Sequence, residues 1–314
     1  MDYQLHSPAV YDFPTAWRLL FAHCGEAAYI NTIRLCEMKR VEGLTTVKIL
    51  IGSPIHQKPD ILALFLQSLR RLNTDKLQLS YVFVDDNGDE ASRDLLKEFA
   101  QQNADVTILP STHHDVYVAN DYTHQWTYDL VWKVANFKNA MIQYFLQRDD
   151  DYLFFIDSDI LIDSNTLLHL VSTKKEIISE IFWTKWTPGS VALPQVWHSD
   201  LYTQIKLAPN ETLASLSEEE AANRHHAFLD EMKTPGVYEI GGLRACTLIK
   251  RNVLEAGVNF SKINNVSFWG EDRHFCIRAQ VLGFPLLVDT HLPAYHIYRS
   301  SDMEGALQFL NDNE

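Results

Sequence analysis

Cysteine is scarce in this chain. Only Cys24, Cys36, Cys246 and Cys276 occur in 314 residues, and no two stand at a C-x-x-C spacing. A zinc or dithiol redox site therefore has little support, and buried, reduced thiols are expected. Glycine and proline are also few, 12 and 11 residues, which argues against a fibrous repeat or a disordered low-complexity chain. No apolar run approaches the roughly 20 residues of a membrane-spanning helix. The opening MDYQLHSPAV lacks the basic and apolar regions of a secretory leader. A cytoplasmic location is thus expected, and the acceptor-like triplets at Asn210 and Asn265 carry no weight. Basic residues are outnumbered, with 27 Lys and Arg against 41 Asp and Glu and a net charge of −14. Such a surface repels phosphate backbones and anionic lipid, so nucleic acid is not an expected partner. A small anionic ligand is still allowed, because a cation and local basic groups can invert the sign of one cleft. No G-x-G-x-x-G, Walker or G-x-S-x-G sequence is present, which disfavours dinucleotide oxidoreductases, P-loop enzymes and α/β-hydrolases. Nothing in the sequence indicates an oligomeric state.

What is present is alternation. Hydrophobic residues make up 46%, enough for a sizeable core. Residues 1–45 show helical spacing, as at Ile30, Ile33, Leu35 and Met38, and predict an N-terminal helical extension. Val47–Gly52 reads as a buried strand opening into the Gly52-Ser-Pro54 loop. Pro59 starts a helix with Ile61, Leu62, Phe65, Leu66 and Leu69 on one face. Leu79–Val84 is a second strand, Asp85–Gly88 a turn and 90–102 a helix. Val106–Leu109, a long helix over about 128–147 and Tyr152–Ile156 continue the series. Strands alternating with helices imply an α/β fold with a mostly parallel sheet flanked by helices. Ligands then bind at the carboxyl ends of the strands, so the loops at 52–59, 85–88 and 157–159 should share one crevice. The second half is less regular. A strand over Leu243–Lys250, helices from about Asn252 and over 271–282, and a strand at Leu286–Val288 are expected. We read 46–314 as one continuous catalytic domain, with a nucleotide-binding half over about 46–182 and an acceptor-binding half over about 183–300.

The strongest chemical signal is Asp157-Ser158-Asp159 directly after the apolar run Tyr152–Ile156. Two carboxylates spaced i, i+2 at a strand end suit a hard cation, Mg²⁺ or Mn²⁺, which takes carboxylates plus substrate phosphates. A turn or helix cap is the plainer alternative for Asp157. Glu271-Asp272 begins a helix and could be a capping pair or a base. Gly241-Gly242 could let backbone pass close to a sugar, or could be a bulge. Trp183, Trp186 and Trp197 could stack on sugar or fill core. His113-His114-Asp115 resembles a metal cluster on paper, but adjacent strand residues point to opposite faces. His225 and His226 should face solvent.

Phe155-Ile-Asp-Ser-Asp159 resembles the D-x-D signature of nucleotide-sugar glycosyltransferases of GT-A fold, close to family 2. Further pieces follow in that family's order over about 47–300. Ile51-Gly-Ser-Pro-Ile55 is similar to the nucleotide loop and would bring Ser53 and Pro54 to the donor. Val84-Asp-Asp-Asn-Gly88 resembles V-D-D-G-S and implies Asp85 and Asp86 at the base or ribose. Ala135-Asn-Phe-Lys-Asn139 resembles A-R-N, with Lys138 near the diphosphate and Asn139 beside it. Trp269-Gly-Glu-Asp272 resembles the E-D motif. The resemblance implies Asp272 as catalytic base and Glu271 as its neighbour in acceptor binding. It also puts Trp269, Ser158, Gly241 and Gly242 near the donor, and Asp157, Asp159 and His296 at the metal. The implied activity is metal-dependent, inverting transfer of a hexose-type sugar from a nucleotide sugar, with UDP foremost, to a carbohydrate or other hydroxyl acceptor. A nucleotidyltransferase, or an inactive sugar-nucleotide-binding protein, is the alternative.

Overall fold

The computed structural model describes residues 46–111, 126–199, 201–267 and 270–313. The expected N-terminal extension, Cys24, Cys36, His113-His114-Asp115 and Trp269 lie outside the described residues. The first half follows the predicted alternation. Strand β1 (Val47–Ile55) leads to helix α1 (Pro59–Arg70), β2 (Leu77–Asp85) to α2 (Glu90–Gln102), and β3 (Val106–Pro110) precedes α3 (Tyr128–Leu146) and β4 (Tyr152–Phe155). Local chemistry sets the helix starts. Pro59 occupies the first turn of α1, where a missing N–H costs nothing. The Asp89 carboxylate accepts from the N–H groups of Ala91 and Ser92 to cap α2.

After β4 come β5 (Ile160–Leu161), α4 (Thr166–Ser172), β6 (Ile177–Thr184), β7 (Leu193–Pro194) and β8 (Val196–Trp197). Helix α5 (Glu218–Lys233), β9 (Val237–Ile240), β10 (Gly242–Leu243), β11 (Thr247–Lys250) and α6 (Arg251–Glu255) follow. Helix α7 (Glu271–Val281), β12 (Leu286–His296) and α8 (Met303–Asp312) complete the chain. The main sheet runs β3-β2-β1-β4-β11-β6-β12-β5. Strands β3, β2, β1 and β4 are parallel, as are β6 and β12, while β11 runs antiparallel to both β4 and β6. Residues 46–314 form one compact unit. No helix among the described residues is long and apolar enough to cross a membrane.

Burial on both faces explains the continuous apolar strands. Ile49, Ile51, Tyr152 and Phe154 pack into one core layer with α1 residues such as Phe65 and Leu69. Their alternating neighbours Leu50, Leu153 and Phe155 pack into a second layer with Met141 and Phe145 of α3. Strand β4 thus lies in the middle of the sheet with all four side chains buried. The residue that follows it is held at a rigid carboxyl end.

Three expectations change. The strand read over Leu243–Lys250 is two strands, because Cys246 adopts φ +68 and breaks the run. Strand β10 pairs with β8 and β11 with β4 and β6. Strand β6 went unread because Glu180 interrupts its apolar run. Strand β12 continues past Val288 to His296, through a register shift between Asp289 and Ala294.

Gly242 is fixed by packing. A Cβ there would lie 2.0 Å from the Trp197 ring, whereas a Cβ on Gly88 would meet nothing within 4 Å. Gly242→Ala should destabilise the protein by ~1–3 kcal/mol or more through overpacking. Gly88→Ala should stay within about 0.5 kcal/mol of the native stability. Urea denaturation of both variants checks this, and equal effects would contradict it.

Candidate active site

The carboxyl ends of β1, β2 and β4 open on a cavity of about 500 Å³, where the sheet rule places ligands. The chain leaves β4 through Ile156 and turns, with the Ile160 N–H donating to the Asp157 carbonyl at 3.1 Å. Strand β5 then pairs with the end of β12, putting Ile160 opposite His296. The Ile297 N–H donates to the Asp159 carbonyl at 2.8 Å. This pairing brings residues 137 positions apart into one site: His296 Nε2 lies 3.6 Å from Asp159 Oδ1. Its Nδ1 is 2.8 Å from the Thr184 hydroxyl, which fixes the ring orientation.

Next to this pair is a buried charge cluster. Lys138 of α3 is 3% exposed. Its ammonium donates to Glu271 at 2.8 Å and Asp272 at 2.9 Å and lies 4.9 Å above the Phe260 ring. Burial opposes its charge, but Asp272, Glu271 and Asp157 together hold its pKa well above the ordinary lysine value. Glu271 and Asp272 occupy the first turn of α7, where the helix dipole favours anions. Gly270 precedes them at φ +99, and a Cβ there would lie 2.9 Å from the Tyr202 hydroxyl. Both the conformation and the space therefore require glycine.

Asp157 keeps part of its surface open to the cavity but is otherwise enclosed by packed atoms. Burial pushes its carboxyl up to about 7; Lys138 acts downward, and Asp159, Asp272 and Glu271 act upward. Three carboxylates thus act on one lysine, and Asp159 adds a fourth beside Asp157. That excess of negative oxygen suits a hard divalent cation, and Asp157, Asp159 and His296 are the groups that would hold it. Their ligand atoms do not all lie within 4.8 Å of one another. Among the described residues only His169, Asp289 and His291 meet that measure.

The other predicted residues divide. Pro54, Asp86, Ser158, Gly270 and the acidic set line the cavity. Burial acts to raise Asp86, but hydrogen bonding to His56, Ser111 and Lys133 outweighs it and holds the carboxyl below its usual range. Lys133 Nζ lies 3.0 Å from Asp86 Oδ1. Asp85 instead folds its own turn, accepting from the Asn87 N–H at 3.0 Å and from Asn87 Nδ2 at 2.8 Å. Ser53 is fully buried behind Pro54. Asn139, expected beside the diphosphate, binds the 260 loop: its Oδ1 accepts from the Phe260 N–H at 2.8 Å and its Nδ2 donates to Ser261 Oγ at 3.1 Å. Gly241 and Gly242 make their close approaches to the His198 carbonyl and the Trp197 ring, so their spacing serves strand packing. Lys138, expected at the diphosphate, is committed to Glu271 and Asp272.

Residues 46–186 match the family described as glycosyltransferase family 25, N-terminal domain. The match spans less than half of the chain, and over that stretch the chain is similar to glycosyltransferases. The motif resemblance was to family 2, and the family matched is a different glycosyltransferase family, family 25. No curated protein matches the chain. Among solved structures it is similar to the Pyrobaculum calidifontis mannosyltransferase PcManGT in complex with GDP-Man and Mn²⁺, with 12% identity, 79% of this chain and 56% of that one covered, and a TM-score of 0.47. It is also similar to S. aureus TarS 1-349, with 12% identity, coverage of 85% and 65%, and a TM-score of 0.49. The chain thus spans 56 to 65% of those structures.

The cavity also has residues that sequence reasoning missed. Arg244 lies between Trp186 and Tyr202, at 5.4 and 5.1 Å from the ring centroids. Arg299 lies 4.8 Å over Tyr298. Both line the cavity. Arg244 follows the Gly241-Gly242 step by two residues, and basic side chains near an anionic-ligand cleft were the signal available. Of Trp183, Trp186 and Trp197, Trp186 is at the cavity and Trp197 is in the core; Trp126 also lines the cavity.

The Asp157 value sets a pH dependence. Without a cation the carboxyl is protonated below about 7, so a cation binding there must displace a proton. Mn²⁺ affinity should fall as pH drops through that value, by up to about tenfold per unit for one displaced proton. Calorimetry in buffers of different ionisation enthalpy should record proton release below it. An affinity independent of pH across that range would contradict the assignment.

Proposed function

We propose that this transferase moves a sugar from a nucleotide sugar, with a UDP-sugar as the foremost donor, to an acceptor hydroxyl, inverting the anomeric centre. The observation that carries this reading is the meeting of Asp157, Asp159 and His296 with Glu271-Asp272 on one cavity whose wall also holds Arg244 and Arg299. Asp157, Asp159 and His296 would bind Mn²⁺ or Mg²⁺. Such an ion, when bound, neutralises charge that grows on a departing diphosphate.

The chain's own residues account for the remaining steps. Arg244 and Arg299 supply positive charge to an anionic donor, and the planar guanidinium fork suits phosphate oxygens. Asp86, on the β2 side, accepts hydroxyls of the nucleoside. The acceptor oxygen attacks C1 of the sugar as the bond from C1 to the diphosphate oxygen breaks. Its proton passes to the Asp272 carboxylate. Lys138 holds Asp272 and Glu271 in place, so that the carboxylate is oriented before the acceptor arrives. Trp186 and Tyr298, which meet edge to face at 5.5 Å, offer apolar surface to a sugar ring.

Two variants separate the roles. Asp159→Ala should abolish Mn²⁺-dependent UDP binding in calorimetry. Asp272→Asn should keep that binding and lose transfer by ~10²–10⁴-fold, the range for a positioned general base. Nucleotide binding of equal strength with and without metal, or native turnover by Asp272→Asn, would overturn these assignments.

A further inference from the structure

Outside the cavity, one cluster has the composition of a metal site. His169, in α4, and Asp289 and His291, in β12, each offer a ligand atom, and these atoms all lie within 4.8 Å of one another. His169 Nε2 is 2.8 Å from Asp289 Oδ2, and His291 Nδ1 is 3.0 Å from Asp289 Oδ1. The imidazole ring centroids lie 4.9 Å apart, with the rings tilted by 58°. Asp289 is fully buried, while the two histidines are 29% and 41% exposed at their side chains. An ion therefore has a path in, and the imidazoles have room to adjust. Bonds of about 2.0–2.1 Å to a tetrahedral zinc place ligand atoms roughly 3.3 Å apart, so closing on an ion requires side-chain movements of about an ångström.

A second observation points the same way. Glu180 of β6 stands opposite Asp289 in the parallel ladder, which puts both side chains on the same face of the sheet. Glu180 is fully buried. Its Oε1 accepts the Leu292 N–H at 3.3 Å, and its Oε2 has no hydrogen-bond partner. No lysine or arginine among the described residues forms an ion pair with Glu180 or Asp289. Burial and the neighbouring Asp289 push the Glu180 carboxyl up to about 10, so a proton answers Glu180, and among the described residues Asp289, fully buried, has only the two histidines beside it as basic groups.

We propose that His169, Asp289 and His291 bind a second divalent cation of the zinc class, in a structural site separate from the sugar-transfer cavity. Two imidazoles with a carboxylate favour zinc, or cobalt in its place, over the hard ions suited to Asp157 and Asp159. Glu180 lies behind Asp289 on the same face of the sheet. The site joins the last turn of α4 to β12 beside the register shift between Asp289 and Ala294. The same strand ends at His296, so the ion would staple the element that carries that residue. An ion bound only by the folded chain stabilises it.

Cobalt and zinc titrations of the full chain, stripped with a chelator, test this without reference to activity. Asp159→Ala, with the cavity's acidic pair broken, should still take up one Co²⁺ with the visible absorption of tetrahedral cobalt. Zn²⁺ should raise its melting temperature. His291→Gln should lose both the band and the zinc-induced shift while melting near the native temperature without metal, because the side chain is largely exposed. His169→Gln should lose them likewise. An undiminished cobalt band in both histidine variants would overturn the proposal, as would no tetrahedral cobalt in Asp159→Ala.

Discussion

The site depends on one buried ammonium. Lys138 joins α3 to the start of α7 by binding Glu271 and Asp272 together, and its charge also reaches Asp157 at the end of β4. Burying a lysine without partners is prohibitive. Burying Glu271 and Asp272 without the lysine is equally so, and removal of one partner from such a cluster typically costs ~3–5 kcal/mol. The cluster is therefore cooperative: each of the three charged side chains needs the other two. Its charge does not balance, because Asp157 and Asp159 add to the same region. On the function proposed, a cation would answer that remainder, and the acidic composition of the whole chain would not then prevent an anionic donor from binding.

The sheet supplies the rigidity that such a cluster needs. Strand β4 ends in the middle of two core layers, so Asp157 cannot drift. Strand β5 is only two residues long, yet by pairing with β12 it brings His296 to Asp159. Strand β12 serves the cavity at its end and the His169–Asp289–His291 cluster near its middle. The two clusters differ in chemistry. One is rich in carboxylates and suits a hard ion; the other has two imidazoles and suits a softer one.

Much of this was legible in the residues. Tyr152–Phe155 had to be a buried strand because four consecutive apolar side chains can be covered only on two faces. The βα alternation then placed three loops in one crevice. The resemblance added Glu271, Asp272 and His296, and the geometry brings them to the acidic pair. What stayed hidden has a physical cause. Glu180 masked β6, because a buried acid is unreadable without knowing what surrounds it. Asn139 and Lys138 looked like donor ligands because sequence order gives helix position, not the neighbour that a side chain meets. Gly241 and Gly242 signalled a close approach correctly, but the partner is the His198 and Trp197 strand. Arg244 and Arg299 carry no motif, and only the fold brings them to the cavity.

The central claim is that the acidic pair at the end of β4 works through a cation on a nucleotide sugar. The most direct test is a panel of nucleotide sugars offered to the purified chain without acceptor, with Mn²⁺ or with a chelator, while free nucleotide is measured. The account predicts slow hydrolysis of one donor, a UDP-sugar foremost, that requires the metal. Hydrolysis at the same rate in chelator would contradict it.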